Sequence, residues 1–469
     1  MKTDRTLQFP LVVAVVCLLA VTAASTAPVP ANARDPRIEK LLTQVSEPRV
    51  KAILEKLGSF ETRNTLSSTE SPTKGIGAAR QWILDEMKQS SPRLQVSFDT
   101  HAVPRSGRIT RDIEASNVVA VLPGKSPRRV YITAHYDTFA RVATPRPAGA
   151  PPQGQAPTRP TGQAQAPATR PAPAEATAPA PPVDNLAPGV NDDGSGTAVV
   201  MELARVFGES GIEFDATLVF VAFFGEEQGL IGAQMHAAKA QQEKLAIDAV
   251  LNNDMVGNTQ APGGIEDSRR VRVFSEGPED SLSRQLARYV KRAAALYVPT
   301  QQVTLVARHD RFGRGGDHTA FNQKGFTAVR ITEAVENFER QHTTADTLEG
   351  VNLAYLMRNL RLNGAAAAAL ALAPASPVVA DERGQPSLGR NPSGYDANLR
   401  WKASPGAVGY KIYWREAWTP DWQHEVTVGP VTEHLIPNLS IDDYVFGVAA
   451  ISAEGNESLV AAYVNPPRR

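Results

Sequence analysis

The 469-residue sequence is almost free of cysteine, since Cys17 is the only one. Cys17 lies in the apolar run of residues 11–20, inside a segment that is expected to be removed on export. The mature chain would then contain no sulfhydryl group. Disulfide bonds and a catalytic thiol are therefore excluded, and the fold must be held by its core and by any bound metal.

The sequence also has no excess of charge of either sign. Lysine plus arginine and aspartate plus glutamate number 49 each, and no basic stripe or acidic tail is present. Nucleic-acid-binding surfaces need clustered positive charge. We therefore expect no nucleic-acid partner.

Long hydrophobic runs are missing as well. The apolar run of residues 11–20 is shorter than the roughly 20 residues that a membrane-spanning helix needs. It follows a charged start and precedes small residues that end in Ala31, Asn32 and Ala33, the pattern of a secretory signal. We predict a signal peptide over residues 1–33, no stable membrane anchor, and a secreted or periplasmic protein.

What the sequence does contain is enough apolar residue, 42% of the chain, for one large and one smaller domain. Nearly continuous apolar runs at 117–122, 130–134, 217–224 and 249–251 are typical of strands covered on both faces. An amphipathic stripe at 198–207 predicts a helix between them. Residues 34–375 are thus predicted to form an α/β domain with a mixed, mostly parallel central sheet flanked by helices.

One segment of this domain is compositionally different. Residues 141–190 hold 13 of the 36 prolines and no aromatic residue, so they cannot bury enough apolar surface to offset their ordering entropy. We predict a disordered insertion at about 139–188. Because chemistry-bearing residues precede and follow it, we interpret it as an extended loop at the rim of one site.

Residues 380–469 change to short alternating strands separated by turn residues, which predicts an all-β sandwich. This stretch resembles a fibronectin type III domain, with Trp401 as the core tryptophan and Tyr444 at the tyrosine corner. We expect an accessory module that binds a polymer or protein surface.

Five short runs place histidine or acidic residues directly after predicted strands or turns. They are HYD at 135–137, NDDGSG at 191–196, GEEQG at 225–229, NDMVG at 253–257 and QHTTADT at 341–347. Charges at the ends of buried strands are costly unless they are paired or bind metal. Imidazole and carboxylate are ligands that zinc uses, and two histidines with three carboxylates can serve two zinc ions if one carboxylate bridges them.

The same runs, in this order, resemble peptidase family M28, the zinc exopeptidases with two metal ions, over residues of about 50–375. The resemblance implies two Zn²⁺ ions per chain and peptide or protein substrates, attacked by a metal-bridging hydroxide. It implies Glu226 as general base and Asp137 as the acid that orients a histidine ligand. The implied metal ligands are His135, Asp192, Glu227, Asp254 and His342, with the choice of Asp192 over Asp193 resting on the motif alone.

A second group of candidate site residues lies in the glycine-rich stretch 308–318 and in the predicted strand 328–333. The resemblance implies that residues here shape the substrate pocket, although Gly316 stands where the family often has serine. The alternative is a loop with solvated charges. The candidate substrate-binding residues are Arg311, Arg314, Asp317, His318 and Glu333.

Aminopeptidase activity is the first functional hypothesis. The arginines at 308, 311 and 314 favour a carboxypeptidase-like alternative that would bind a terminal carboxylate. A glutaminyl cyclase relative with one zinc and a non-catalytic adhesion protein are further alternatives. Histidines without a motif are expected to be structural, namely His101, His236, His309, His424 and His434.

Overall fold

The computed structural model describes residues 34–141, 185–390 and 394–465. The predicted signal peptide and Cys17 lie outside these ranges, as does most of the predicted insertion. No helix in the described ranges combines the length and apolar character that crossing a bilayer requires.

The helices mostly begin where a short polar side chain accepts a hydrogen bond from a backbone N–H of the first turn, as Asp35, Ser46, Ser281 and Asn352 do. The described helices are α1 (Pro36–Thr43), α2 (Glu47–Ser59), α3 (Gly75–Ser90), α4 (Gly194–Glu209), α5 (Ile231–Gln242), α6 (Leu282–Tyr297), α7 (Asp317–Gln323) and α8 (Leu353–Leu372). A 3-10 turn covers Leu348–Gly350.

The strands of the larger domain are β1 (Gln95–Val103), β2 (Ile113–Leu122), β3 (Ser126–His135), β4 (Ala216–Phe223), β5 (Ile247–Asn253), β6 (Gln260–Ala261), β7 (Ile265–Glu266), β8 (Arg270–Ser275), β9 (Gln302–Val306) and β10 (Ala328–Glu333). Those of the C-terminal domain are β11 (Leu388–Gly389), β12 (Ala397–Arg400), β13 (Gly409–Glu416), β14 (His424–Val428), β15 (Glu433–Ile436), β16 (Tyr444–Ile451) and β17 (Ala461–Ala462).

Eight strands form the central sheet in the order β1-β2-β4-β3-β5-β10-β8-β9. The four central strands β4, β3, β5 and β10 pair in parallel, while β1, β2 and β8 join through antiparallel pairings. This confirms the predicted mixed, mostly parallel sheet. All residues of β4 are buried, because helices cover both faces of a sheet of this kind.

The sheet separates two apolar clusters. The larger includes residues of α1 to α4, α6 and α8 on one face, and the smaller includes Ala233 and Ala237 of α5 and Phe321 of α7 on the other. The architecture is thus a helix–sheet–helix sandwich. Its layers hold the carboxyl ends of β3, β4 and β5 at one edge, where the predicted metal ligands follow.

The C-terminal residues form two antiparallel sheets, β11-β12-β15 and β14-β13-β16-β17. A core that includes Leu399, Trp401, Ile412 and Phe446 joins them, and Trp401 is only 5% exposed. This confirms an all-β domain with antiparallel sheets. The likeness to fibronectin type III itself stays a prediction.

The C-terminal domain packs against α6 and the start of α1. Tyr289 of α6 donates its hydroxyl to the Glu457 carbonyl at 3.0 Å, and Asn456 donates to the Asp35 carboxylate at 2.7 Å. The buried Arg415 forms an ion pair with the partly exposed Asp280. The contact therefore involves polar groups that removal of either domain would leave without partners.

Candidate metal centre

Three neighbouring parallel strands deliver side chains to one edge of the sheet. His135 is the last residue of β3, Glu226 and Glu227 follow β4, and Asp254 follows β5. Since β3 lies between β4 and β5, the carboxyl ends of all three meet at the same edge. This geometry explains the sequence pattern, in which an apolar strand is followed directly by a charged residue.

Two groups of three side chains lie close enough to hold a metal ion each. The first is His135, Asp192 and Asp254, and the second is Asp192, Glu227 and His342; in each group the ligand atoms lie within 4.8 Å of one another. Asp192 belongs to both. Its Oδ1 is 3.4 Å from His135 Nε2 and its Oδ2 is 3.0 Å from His342 Nε2, so one carboxylate presents one oxygen to each group.

The spacing within these groups fits zinc. Zinc binds histidine nitrogen and carboxylate oxygen at about 2.0–2.1 Å, which places tetrahedral ligands roughly 3.4 Å apart. The separations between histidine nitrogens and carboxylate oxygens run from 2.8 Å, for His342 Nε2 and Glu227 Oε1, to 3.9 Å, for His135 Nε2 and Asp254 Oδ1. The buried Glu227 Oε1 makes no hydrogen bond of good geometry among the described residues, although His342 Nε2 lies 2.8 Å away, as expected of two ligand atoms that face one metal ion.

The two adjacent aspartates at 192 and 193 have different environments. The Asp193 carboxylate accepts backbone N–H groups from His135 at 3.2 Å, Gly196 at 2.9 Å and Met255 at 3.1 Å. Asp193 thus caps α4 and ties it to β3 and β5. A Cβ at Gly196 would lie 2.5 Å from this carboxylate and 2.7 Å from the Asn253 carbonyl, so only glycine allows this close approach.

Asp137 joins a histidine to the two glutamates. The Asp137 backbone carbonyl accepts a hydrogen bond from His135 Nδ1 at 3.2 Å, and Asp137 Oδ1 lies 3.5 Å from the same nitrogen. Its two oxygens also accept the backbone N–H groups of Glu226 at 3.1 Å and Glu227 at 3.2 Å, and Thr65 donates at 3.3 Å. Asp137 therefore holds the imidazole and the glutamate turn in fixed relation, as a partner behind a ligand does.

Glu226 belongs to neither group of three. Burial raises the pKa of its carboxyl group well above the ordinary value, and the neighbouring carboxylates of Asp254 and Glu227 raise it further. A carboxyl group with a raised pKa holds its proton more tightly than a free one, a property that suits a group that accepts and returns a proton during a reaction. Glu226 is thus placed beside the candidate metal centre with its carboxylate outside both groups of three.

The histidines carry the opposite electrostatics. Burial would lower the pKa of His135, but the carboxylates of Asp137, Asp192 and Asp254 raise it well above its ordinary value. Burial would likewise lower the pKa of His342, but the carboxylates of Glu227 and Asp192 raise it to about 10. Without metal these imidazoles hold protons that metal binding would release.

His342 also has an unusual backbone. Its φ is 58°, a left-handed conformation that is uncommon for residues other than glycine. Phe139 packs edge-on against its ring at a centroid distance of 5.4 Å, and Arg141 donates its backbone N–H to the His342 carbonyl at 2.9 Å. The chain that leads into the predicted insertion therefore contacts the candidate centre directly.

The predicted substrate-binding residues separate into two kinds. Asp317 begins α7, is 1% exposed, and neither of its oxygens has a hydrogen-bond partner among the described residues; burial raises its pKa to about 8. His318 is fully buried and donates Nε2–H to the His309 carbonyl at 2.9 Å. Glu333 is fully buried and accepts from Asn191 and from the Asn258 backbone, so it supports the chain that precedes Asp192.

The predicted arginines are largely occupied by protein carboxylates. Arg311 contacts Glu336 at 2.8 Å and Asp310 at 3.1 Å, and Arg314 contacts Glu336 at 3.4 Å. Arg272 also pairs with Glu336 at 2.6 Å. These ion pairs join two loops beside the centre.

Three buried residues that sequence reasoning missed support the centre. Arg63 donates to the carbonyls of Tyr136, Pro188 and Gly189, and so joins the chain on both sides of the predicted insertion. Asp346 accepts the backbone N–H groups of Asn191 and Asp192, both at 2.9 Å. Asp346 lies in the recognised 341–347 run, whereas an isolated arginine at 63 offers no signal.

The third missed residue, Arg330, is fully buried on β10, with Nη2 3.0 Å from Asp254 Oδ1. A signal for it exists, because an arginine between Val329 and Ile331 in an apolar strand needs a buried anion.

Comparisons with known proteins identify the family and the fold of this chain. Residues 117–367 match the model of peptidase family M28. A probable zinc metalloprotease of Pyricularia oryzae is 33% identical over 90% of this chain and 84% of its own length, and one of Leptosphaeria maculans is 32% identical over 91% and 96%. Two solved Legionella pneumophila structures, LapA aminopeptidase and LapB, are each 20% identical. The LapA structure has a TM-score of 0.51, and the match covers 72% of this chain and 75% of the LapA chain. The LapB structure has a TM-score of 0.52, and the match covers 73% of this chain and 76% of the LapB chain.

Proposed function

The chain belongs to peptidase family M28 and is a zinc metallopeptidase, and we propose that it is an exported aminopeptidase that uses two zinc ions. The observation that carries this proposal is the shared position of Asp192 between two imidazoles, with Glu226 outside both groups. A bridging carboxylate beside an unbound carboxylate suits a two-metal hydrolase with a separate base.

In this proposal His135, Asp192 and Asp254 hold one ion, and Asp192, Glu227 and His342 hold the other. Bound zinc would polarise the scissile carbonyl and acidify a water molecule. Glu226 takes the proton of the attacking water and delivers it to the leaving amine. Asp137 keeps the His135 imidazole oriented, since its carboxylate lies beside Nδ1.

Charge near the centre favours an amino end over a carboxyl end of the substrate. Asp317 offers a buried carboxyl group without a hydrogen-bond partner among the described residues, and a protonated amino group beside it would favour its ionised form and pair with it. Arg311 and Arg314 are already paired with Glu336. Using either arginine to bind a substrate carboxylate would require breaking these pairs, which disfavours the carboxypeptidase alternative.

Profiling of peptide ends tests this assignment. The zinc-loaded protein is given matched peptides with a free amino end, a blocked amino end, or a blocked carboxyl end. We expect release of amino-terminal residues from the first and third sets, and no hydrolysis of the second. Hydrolysis of the amino-blocked set from the carboxyl end would instead support the carboxypeptidase alternative.

The number of zinc ions separates the remaining enzymatic alternative. A glutaminyl cyclase relative is expected to hold one zinc and to convert amino-terminal glutamine without releasing an amino acid. Two zinc ions per chain by elemental analysis, with amino acid release, would exclude it. Two complete ligand groups around Asp192 favour the peptidase.

Export and the role of the C-terminal domain belong to the same proposal. The charged start, the apolar run 11–20 and the small residues up to Ala33 support removal of residues 1–33 on secretion or transfer to a periplasm. The C-terminal domain would position the enzyme on a polymer or protein surface. Amino-terminal sequencing of the exported protein tests the first part, with a mature start at or near Arg34 expected.

A further inference from the structure

Arg330 places a permanent positive charge against one half of the candidate metal centre. It lies on β10, which pairs in parallel with β5, the strand that leads to Asp254. Its side chain is fully buried. A guanidinium group does not lose its proton in a protein, so this charge is present at every pH at which the protein is folded.

Two carboxylates neutralise this charge. Arg330 Nη2 lies 3.0 Å from Asp254 Oδ1 in an ion pair without hydrogen-bond geometry, and Nη1 donates to Asp310 Oδ2 at 3.3 Å. Nη1 also donates to the Gly315 carbonyl at 3.1 Å. Asp310 is in turn shared with Arg311, so Asp254 carries a substantial part of the compensation for Arg330.

The oxygen that contacts Arg330 is the one that faces the histidine of the first group. Asp254 Oδ1 lies 3.9 Å from His135 Nε2 as well as 3.0 Å from the guanidinium. A metal ion that binds this oxygen together with His135 would share it with a fixed cation. Both the competition for the oxygen and the repulsion between the cations weaken binding there.

The second group has no such neighbour. Within the described ranges, the only cationic group in ion-pair distance of the Glu227 carboxylate is the His342 imidazole. The nearby Arg108 donates to the Glu227 backbone carbonyl at 2.8 Å, not to its carboxylate. Each group has one histidine and shares Asp192. They differ in the arginine on Asp254, in Asp137 behind His135 and in the Gln341 amide that donates to Asp192 Oδ2 at 2.9 Å. Of these three, the arginine places a full positive charge against a ligand oxygen.

We propose that Arg330 is a positioning residue of the metal centre that holds Asp254 by its metal-facing oxygen and lowers the affinity of the His135–Asp254 position for a divalent cation. This rests on the proposed two-zinc centre. The Glu227–His342 position then fills first. The loss of metal affinity is offset in two ways. Arg330 fixes the orientation of Asp254, and its buried positive charge compensates the closely spaced carboxylates of the centre.

Zinc titration of the metal-stripped, full-length protein tests this, with binding followed by competition against a chromophoric chelator. The wild type should bind two ions in unequal steps that differ by about tenfold or more, the range over which partners behind a ligand change metal affinity. His135→Ala should keep the tighter step and lose the weaker one. His342→Ala should lose the tighter step.

Substitutions of the arginine test its charge. Arg330→Met should strengthen the weaker step by about tenfold, and Arg330→Lys, which keeps the charge, should stay close to the wild type. Arg415→Met is the matched control, because Arg415 is equally buried and pairs with an aspartate, Asp280, in the contact with the C-terminal domain. It should leave both steps unchanged.

Equal steps in the wild type, loss of the tighter step in His135→Ala, or a weaker second step in Arg330→Met would each overturn the role of Arg330. If Arg330→Met does not fold, Arg330→Gln, which removes the charge and keeps a polar side chain, is titrated in its place; it should also strengthen the weaker step, and an unchanged step would overturn the role of the charge. Saturation at one ion per chain would overturn the two-zinc proposal as well, so the two failures are distinguishable.

Discussion

Replacing Glu226 by glutamine should remove most peptide hydrolysis while leaving the zinc content unchanged. Glutamine has nearly the same size, and the backbone N–H of residue 226 would keep its 3.1 Å contact with Asp137. The carboxylate belongs to neither ligand group, so its loss removes a proton acceptor and no metal ligand. A general base contributes about 10²- to 10⁴-fold, which corresponds to roughly 3–5 kcal/mol of barrier.

The assay is kcat on a small peptide with a free amino end, together with zinc per chain by elemental analysis. Glu227→Gln is the matched control, since it makes the same substitution one residue along in a predicted ligand. It should lose zinc as well as activity. Near wild-type turnover by Glu226→Gln would refute the assignment of the base, and loss of zinc in that variant would show that Glu226 is a ligand.

Three other predictions follow from the same structure. The metal-free protein should lose stability as pH rises from 5 to 9, because the pKa of Asp346 is raised to about 7 and that of His342 to about 10. Both groups bind more protons in the folded state than in the unfolded state across part of this window, and each contributes up to about 1.4 kcal/mol per pH unit. Urea unfolding with and without zinc should show this loss only in the metal-free protein. Asp137→Asn should lower kcat about 10- to 100-fold with a smaller change in KM, because the His135 imidazole and the glutamate turn lose their common anchor, whereas an unchanged kcat would contradict the anchor. Removal of residues 380–469 should leave turnover of small peptides largely intact but lower the unfolding temperature, since Tyr289 loses its partner, and a folded yet inactive truncated protein would contradict the accessory role.

Much of the fold could be predicted because buried parallel strands have a distinctive pattern. The apolar run at 217–224 corresponds to β4, which is buried along its whole length, and the helical stripe at 198–207 lies within α4. Both patterns arise from local rules, since a strand covered on both faces and a helix covered on one must carry apolar residues at those positions.

The candidate ligands could be predicted for a related reason. A charge at the end of a buried strand has few explanations other than an ion pair or a metal ion. That rule indicates His135, Glu226, Glu227 and Asp254, and the resemblance to family M28 implies which of them are ligands. The structure brings His135, Glu227 and Asp254 together with Asp192 and His342. It also supplies an argument that the motif lacked for Asp192, because Asp193 is occupied by three backbone N–H groups.

The sequence alone predicted the domain pattern and the strands that converge on one edge of the sheet, because these depend on composition and periodicity along the chain, and its motifs indicated the class of enzyme through their resemblance to peptidase family M28. Only the tertiary structure decided which charges face each other. The pairing of Arg311 and Arg314 with Glu336, the support of Asp192 by Asp346 and the contact of Arg330 with Asp254 join residues from separate segments. A sequence shows that a residue is charged but not whether water, substrate or another side chain neutralises the charge. Only the packing of strands and loops shows which of these lies next to it.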